Sequence, residues 1–239
     1  MLKAVLFDLD DTLLKTSTEA FLRRYFVTIG RYAAELMPPE KLLAELQYCT
    51  RMTIENVDTA VTNHDVFWQC FSTRNNLDIA ETEAFFDQFY RREFPKMQSL
   101  THPVPGASAV VQACLDAGLK VVIATNPLFP AFAIEERLRW AGVPAEEYPF
   151  ALVTTMDNMH ASKPNLAYYR EILDMIEVEA DTAVMVGDDW KRDILPAHAV
   201  GMHTYWIAPD DVQPPNADIP CGHGSLAHFY DSLKLSGAL

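Results

Sequence analysis

The sequence predicts an α/β protein: a doubly wound parallel sheet with helices on both faces, joined to a separate helical segment. Three observations predict it. Ala4-Val5-Leu6-Phe7 is a run of four apolar residues, as expected of a fully buried strand, and the carboxylates Asp8, Asp10 and Asp11 follow at its end. Beyond Gly106, apolar runs alternate with amphipathic stretches, the pattern of strand and crossover helix in a parallel sheet. Between these regions, Leu14 to about Leu100 has helix-length amphipathic stretches and no buried-strand run.

Taken in order, Phe21, Tyr25, Ile29 and Tyr32 recur at three- and four-residue spacing and predict a helix that ends before Pro38-Pro39. A second helix begins at Glu40-Lys41-Leu42-Leu43. A third holds Val66, Phe67, Cys70 and Phe71, and a fourth holds Phe85, Phe86, Phe89 and Tyr90 and ends near Pro95. These aromatic stripes read as the core of a small bundle. Pro103-Val104-Pro105-Gly106 marks a boundary. After it come a helix from Ala107 to Ala117 closed by Gly118, a strand from Lys120 to Asn126, and a helix from Ala131 to Ala141 closed by Gly142. A strand from Phe150 to Thr155, a helix from Asn165 to Met175, a strand from Thr182 to Val186, a short helix from Ile194 to Ala199 and a last strand from Thr204 to Ile207 complete the alternation. Pro209 to Pro220 reads as a surface loop.

The 239 residues suffice for one domain of ordinary size and a smaller one. With 19 basic and 33 acidic residues the formal charge is −14, which disfavours non-specific binding to nucleic acid or to anionic membrane. Cys49, Cys70, Cys114 and Cys221 are far apart and form no CxxC pair, so neither a zinc site nor a disulfide framework is expected. The first strand begins almost at Met1, leaving no room for a cleavable signal peptide, and no apolar run approaches a membrane span. A cytoplasmic chain is the expectation.

Alternate residues of a strand share a face, so Asp8 and Asp10 are expected to point the same way from its carboxyl end, where open α/β sheets place ligands. Such a pair repels itself unless a cation lies between the carboxylates or one of them holds a proton. Both conditions suit a Mg²⁺ site with a nucleophile and an acid/base. An acidic turn that merely caps the strand is the other reading of the same residues.

Asp8-Leu9-Asp10-Asp11-Thr12, Thr125 at the end of the second strand, Lys163 in Ser162-Lys163-Pro164, and Gly187-Asp188-Asp189 followed by Asp193 together resemble the four motifs of the haloacid dehalogenase-like hydrolase superfamily. The resemblance covers nearly the whole chain. It implies a Rossmann-like core, residues 1–15 and 101–239, with a helical cap, residues 16–100, inserted after the first motif. It also implies a Mg²⁺-dependent phosphatase that acts on a small phosphorylated metabolite through an aspartyl-phosphate.

In that scheme Asp8 is the nucleophile and Asp10 the general acid/base. Thr125, the backbone N–H of Asn126 and Lys163 hold the phosphoryl group and offset its charge. Asp8, the backbone carbonyl of Asp10 and Asp188 hold Mg²⁺, with water and substrate completing the shell. Thr12 braces the loop, and Asp189 and Asp193 take water-mediated or lysine-orienting roles or, as first-turn acids, serve the helix dipole. His160, His198 and His203 form no ligand pattern and read as structural. Trp190 reads as packing, with a place at the entrance as the other possibility.

Three alternatives stand beside the phosphatase. A phosphomutase has the same motifs, although Gly commonly follows the second Asp in such relatives and Asp11 stands here. A dehalogenase needs no metal and has no use for Asp10 or the acidic fourth motif. A non-catalytic phosphate-ligand binder would be expected to have lost one of Asp8, Asp10 or Lys163. None of Arg23, Arg24, Arg51, Arg74, Arg91 and Arg92 in the helical segment is singled out as a substrate contact, and the chain is expected to be a monomer or homodimer.

Overall fold

The computed structural model of the chain describes residues 1–235 and 237. In chain order the first half contains β1 (Ala4–Phe7), β2 (Leu14–Thr16), α1 (Thr18–Tyr32), α2 (Pro39–Glu55), α3 (Asn63–Asn75), α4 (Ile79–Arg92), a 3₁₀ stretch Phe94–Leu100 and β3 (Thr101–Pro103). The second half contains α5 (Ala107–Asp116), β4 (Lys120–Ile123), α6 (Ala131–Trp140), β5 (Leu152–Val153), α7 (Leu166–Met175), β6 (Ala183–Gly187), a π-helical turn Trp190–Ile194, α8 (Leu195–Ala199), β7 (His203–Ile207), β8 (Gly222–Gly224) and α9 (Leu226–Leu235).

Among the described residues, six strands form one parallel sheet in the order β5-β4-β1-β6-β7-β8. β1 lies inside it, with Phe7 level with Ile123 of β4 and Val186 of β6. Period-two alternation divides these strands between two apolar cores. Val5, Phe7, Val121, Ile123, Val184 and Val186 enter one, while Ala4, Leu6, Val122, Ala183 and Met185 enter the other. The first core continues without a break into α1–α4 through Phe21, Tyr25, Ile29, Leu46, Phe71, Phe86 and Phe89, the aromatic stripes read from the sequence.

Local signals explain the helix ends. Thr62 and Asp65 form a reciprocal capping box at the start of α3, Asp78 caps α4, and Asn165 caps α7. Pro39 opens α2, where its missing N–H costs nothing.

The structure corrects five expectations. The stretch from Leu14 onward is not wholly helical: Leu14–Thr16 pairs antiparallel with Thr101–Pro103, bringing the two ends of the helical segment together in three-residue strands too short to carry a pattern. The strand expected over Phe150 to Thr155 contracts to Leu152–Val153 at the sheet edge, although the Thr154 N–H still donates to the Ile123 carbonyl at 3.0 Å. The short helix expected from Ile194 begins earlier, with the π-helical turn from Trp190. β7 is not the last strand; β8, Gly-His-Gly, and α9 follow the Pro-rich loop, and two glycines in three residues hid that strand. Finally, Cys49 and Cys70 form a disulfide, their Cα atoms 5.7 Å apart on the facing helices α2 and α3. Separation in sequence is no barrier once two helices pack side by side. No helix among the described residues is long and apolar enough to cross a membrane.

Candidate active site

The candidate residues meet at the carboxyl ends of β1, β4 and β6, where the ligands of such sheets bind. Asp8 is the first residue after β1, and its N–H donates to the Val186 carbonyl at 2.9 Å, extending the β1–β6 ladder. Asp188 follows the last residue of β6. Lys163 enters from the loop before α7, where its ammonium donates to Asp8 Oδ1 at 2.7 Å and to Asp193 Oδ1 at 2.6 Å. Asp193 comes from the π-helical turn and also receives the Asp189 N–H on its other oxygen at 3.0 Å. Gly187 makes this approach possible: a Cβ there would lie 2.3 Å from Asp193 Oδ2.

This constellation is buried. Asp8, Lys163 and Asp193 are 8%, 2% and 1% exposed. Burial raises the Asp8 carboxyl well above its ordinary value against the opposing pull of Lys163, with Asp193, Asp10 and Asp188 adding to the rise. Asp193 is raised by burial as well, with Lys163 again opposing. Burial disfavours the Lys163 charge, yet Asp193 and Asp8 overcome it and hold the ammonium well above its usual range. Asp188, which has no ion-pair partner among the described residues, is pushed up to about 7 by burial and by Asp193 and Asp11.

One carboxylate oxygen from each of Asp8, Asp188 and Asp193 falls within 4.8 Å of the others. An all-oxygen donor set of converging carboxylates, with protonation favoured where no cation offsets their repulsion, fits a hard divalent metal. Asp193, which the sequence suggests for a water-mediated or lysine-orienting role, belongs to this donor group, and it is also the second acceptor of Lys163. The carboxylate of Asp10 is not part of it. Asp10 lies beyond the end of β1 at Phe7 and just before Asp11, which takes a left-handed backbone with φ +53°. Its carboxylate instead accepts from the Thr16 hydroxyl at 3.1 Å and pairs with Arg137.

The other named residues fall around this centre. The Thr125 carbonyl accepts from the Thr154 and Tyr168 hydroxyls at 2.7 and 2.8 Å, which fixes the loop after β4. Asn126 Oδ1 accepts from the Lys163 N–H at 3.2 Å, tying that loop to the one carrying the lysine. Thr12 is fully buried, and its hydroxyl has no hydrogen-bond partner among the described residues. Asp189 caps the π-helical turn by accepting from the N–H groups of Lys191 and Arg192. Trp190 packs edge-on against Trp206, and His160 pairs with Glu171 on α7 at 2.6 Å.

Arg137 was missed. It is 3% exposed and faces Asp10 from α6, on the stripe that also carries Ala133, Ile134 and Leu138. An arginine on the apolar stripe of a helix was the sequence signal for it.

A cavity of about 440 Å³ lies between the α1–α4 helices and the loop after Asn126. Tyr25, Phe26, Phe67, Trp68, Tyr90 and Phe129 are among its lining residues, and among the described ones there is no lysine or arginine.

Comparisons with known proteins show the family and the fold. The family model described as haloacid dehalogenase-like hydrolase matches residues 2–201. Haloacid dehalogenase-like hydrolase domain-containing protein 3 of Xenopus laevis is 34% identical over 61% of this chain, which spans 56% of that relative's length. Phosphoglycolate phosphatase of Rhodospirillum rubrum is 29% identical over 98% of this chain and 90% of its own. Among solved structures, a HAD phosphatase from Thermococcus onnurineus superposes with a TM-score of 0.60 at 22% identity, covering 99% of both chains. A 2-haloacid dehalogenase from Pseudomonas syringae pv. Tomato superposes with a TM-score of 0.63 at 22% identity, covering 99% of this chain and 100% of its own. At that identity these two structures share the fold.

Proposed function

Because the chain belongs to the haloacid dehalogenase-like hydrolase family, we propose that it is a phosphatase that cleaves a small phosphate monoester at Asp8. The observation that carries this reading is the Lys163 ammonium bound to both Asp8 and Asp193 at the sheet's carboxyl end, a counter-charge placed on the nucleophile itself.

An Asp8 oxygen attacks phosphorus as the bond to the leaving oxygen breaks, and Asp10 gives that oxygen a proton. Water then attacks phosphorus, its proton passes to Asp10, and the bond to Asp8 breaks. Thr125, the Asn126 N–H and Lys163 hold the phosphoryl oxygens and offset their charge. Mg²⁺, held by Asp8, Asp188 and the Asp10 carbonyl, supplies further charge neutralisation when bound. Asp189 and Thr12 hold the loops in place, and Asp193 orients Lys163.

The same reading assigns residues 1–15 and 101–239 to a catalytic core and residues 16–100 to a cap. The aromatic cavity between them receives the leaving group. With no lysine or arginine among its described lining residues, and with the carboxylates of Glu83, Asp87 and Asp157 there, it favours an uncharged, apolar leaving group over a carboxylate such as that of phosphoglycolate. The chain acts as a monomer or homodimer in the cytoplasm, and the Cys49–Cys70 bridge makes its thiol state there a property to measure.

A phosphomutase is the second reading. Asp11 occupies the position where Gly was expected of a mutase, but its φ of +53° is one that Gly and Asp both adopt, so the difference weighs little. A dehalogenase leaves the convergence of Asp188 and Asp193 without a use.

The test is phosphate release from a panel of aryl, alkyl and carboxylate-bearing phosphate esters, with Mg²⁺ or with EDTA. Metal-dependent release, fastest from aryl esters, supports the reading. Transfer of the phosphoryl group to a sugar hydroxyl in place of water would favour the mutase, and no release from any ester would overturn the phosphatase.

A further inference from the structure

Arg137 stands apart from the motif residues, on α6, yet its guanidinium pairs with the carboxylate that the proposed reaction uses for proton transfer. Its side chain is 4% exposed, whereas that of Asp10 is 37% exposed. A buried cation is costly unless paired, and Asp10 is its ion-pair partner among the described residues. Its Nε is buried with no hydrogen-bond acceptor among the described residues. The guanidinium lies 5.9 Å from the ring centre of Phe21 on α1 and 5.8 Å from that of Phe129, which lines the aromatic cavity. Among the described residues, both donors that reach the Asp10 carboxylate, Arg137 Nη2 and the Thr16 hydroxyl, meet the same oxygen, Oδ1.

We propose that Arg137 is the positioning residue for Asp10. With Thr16 it anchors Oδ1 and thereby aims Oδ2 at the leaving oxygen. This inference rests on the phosphatase reading and adds to it a residue outside the four motifs.

The arrangement has a chemical signature. When the bond from phosphorus to the leaving oxygen breaks, that oxygen keeps the electron pair and takes a proton from Asp10. An alkyl leaving group depends on that proton. A para-nitrophenyl leaving group is stable as the anion and depends on it far less. A misaimed Asp10 therefore slows alkyl esters much more than nitrophenyl esters, whereas a general loss of structure slows both alike.

The experiment compares wild type, Arg137→Met, Arg137→Lys and Thr16→Val, each saturated with Mg²⁺, on glycerol phosphate and para-nitrophenyl phosphate. Unfolding of each variant is followed in parallel. Arg137→Met should lose about 100-fold more kcat/KM on the alkyl ester than on the aryl ester, the lower end of what a positioned proton donor contributes. Arg137→Lys, which keeps the charge, should recover about tenfold of that difference. Should Arg137→Met fail to fold, Arg137→Lys and Thr16→Val carry the test, each with a smaller loss in the same direction. Equal losses on the two esters, or none, overturn the positioning role while leaving the phosphatase reading intact. A wild type inert toward both esters overturns the phosphatase reading and this inference together.

Discussion

Lys163 Nζ donates to Asp8 Oδ1 at 2.7 Å, joining the loop before α7 to the end of β1 across 155 positions of sequence. The same ammonium holds Asp193, so one cation serves two buried carboxylates. Lys163→Met would leave both without it. Removing one partner from a buried ionic cluster typically costs about 3–5 kcal/mol. Urea denaturation should show a loss of that order together with loss of phosphate release. A variant as stable as wild type would mean that the lysine is not the counter-ion that holds the site together.

Gly187→Ala tests the packing of the same centre. The added Cβ would meet Asp193 Oδ2 at 2.3 Å and must push that carboxylate off Lys163 and away from Asp8 and Asp188. The expected outcome is about 1–3 kcal/mol of destabilisation and weaker Mg²⁺ binding by calorimetry. Unchanged metal affinity would remove Asp193 from any part in the metal site.

The carboxyl cluster also fixes a dependence on pH. The folded chain keeps a proton on Asp188 up to about pH 7, while the unfolded chain releases it near the ordinary 3.8. Asp8 is shifted in the same direction. Between those values the native state binds more protons, so metal-free protein should lose stability as pH rises, by up to about 1.4 kcal/mol per unit for one such group. Mg²⁺ competes with those protons and should reverse the slope. Thermal unfolding in EDTA and in Mg²⁺ at several pH values checks both signs, and metal-free protein that gains stability over this window would contradict the account.

For the Cys49–Cys70 pair, thiol titration of unfolded, unreduced protein should find two free thiols, Cys114 and Cys221. Closing a loop of 21 residues stabilises by about 3 kcal/mol, so reduction should lower the unfolding midpoint accordingly. Four thiols without reductant would show that the bridge does not form in solution.

Much of the fold was legible because buried strands and amphipathic helices announce themselves by period. Ala4–Phe7, the stripe of Phe21, Tyr25 and Ile29, and the alternation after Gly106 all stand in the structure where the pattern placed them. What escaped was either too short to carry a period, as with Leu14–Thr16 and Gly222–Gly224, or depended on packing between elements, as with Cys49 and Cys70. The site divides the same way. Asp8, Lys163 and Asp188 lie in recognisable motifs, and the structure brings them together. Asp10 lies in the same motif as Asp8, whereas its pairing with Arg137 was out of reach of the sequence because a single arginine in a helix carries no motif.

Asp8 as nucleophile is the central claim, and phosphate release from para-nitrophenyl phosphate by wild type and Asp8→Asn, each with Mg²⁺ and with EDTA, tests it most directly. The account predicts release by wild type that requires Mg²⁺ and falls by at least about 1,000-fold in Asp8→Asn, with the variant still folded. Release by Asp8→Asn at the wild-type rate, from protein free of contaminating phosphatase, would contradict it.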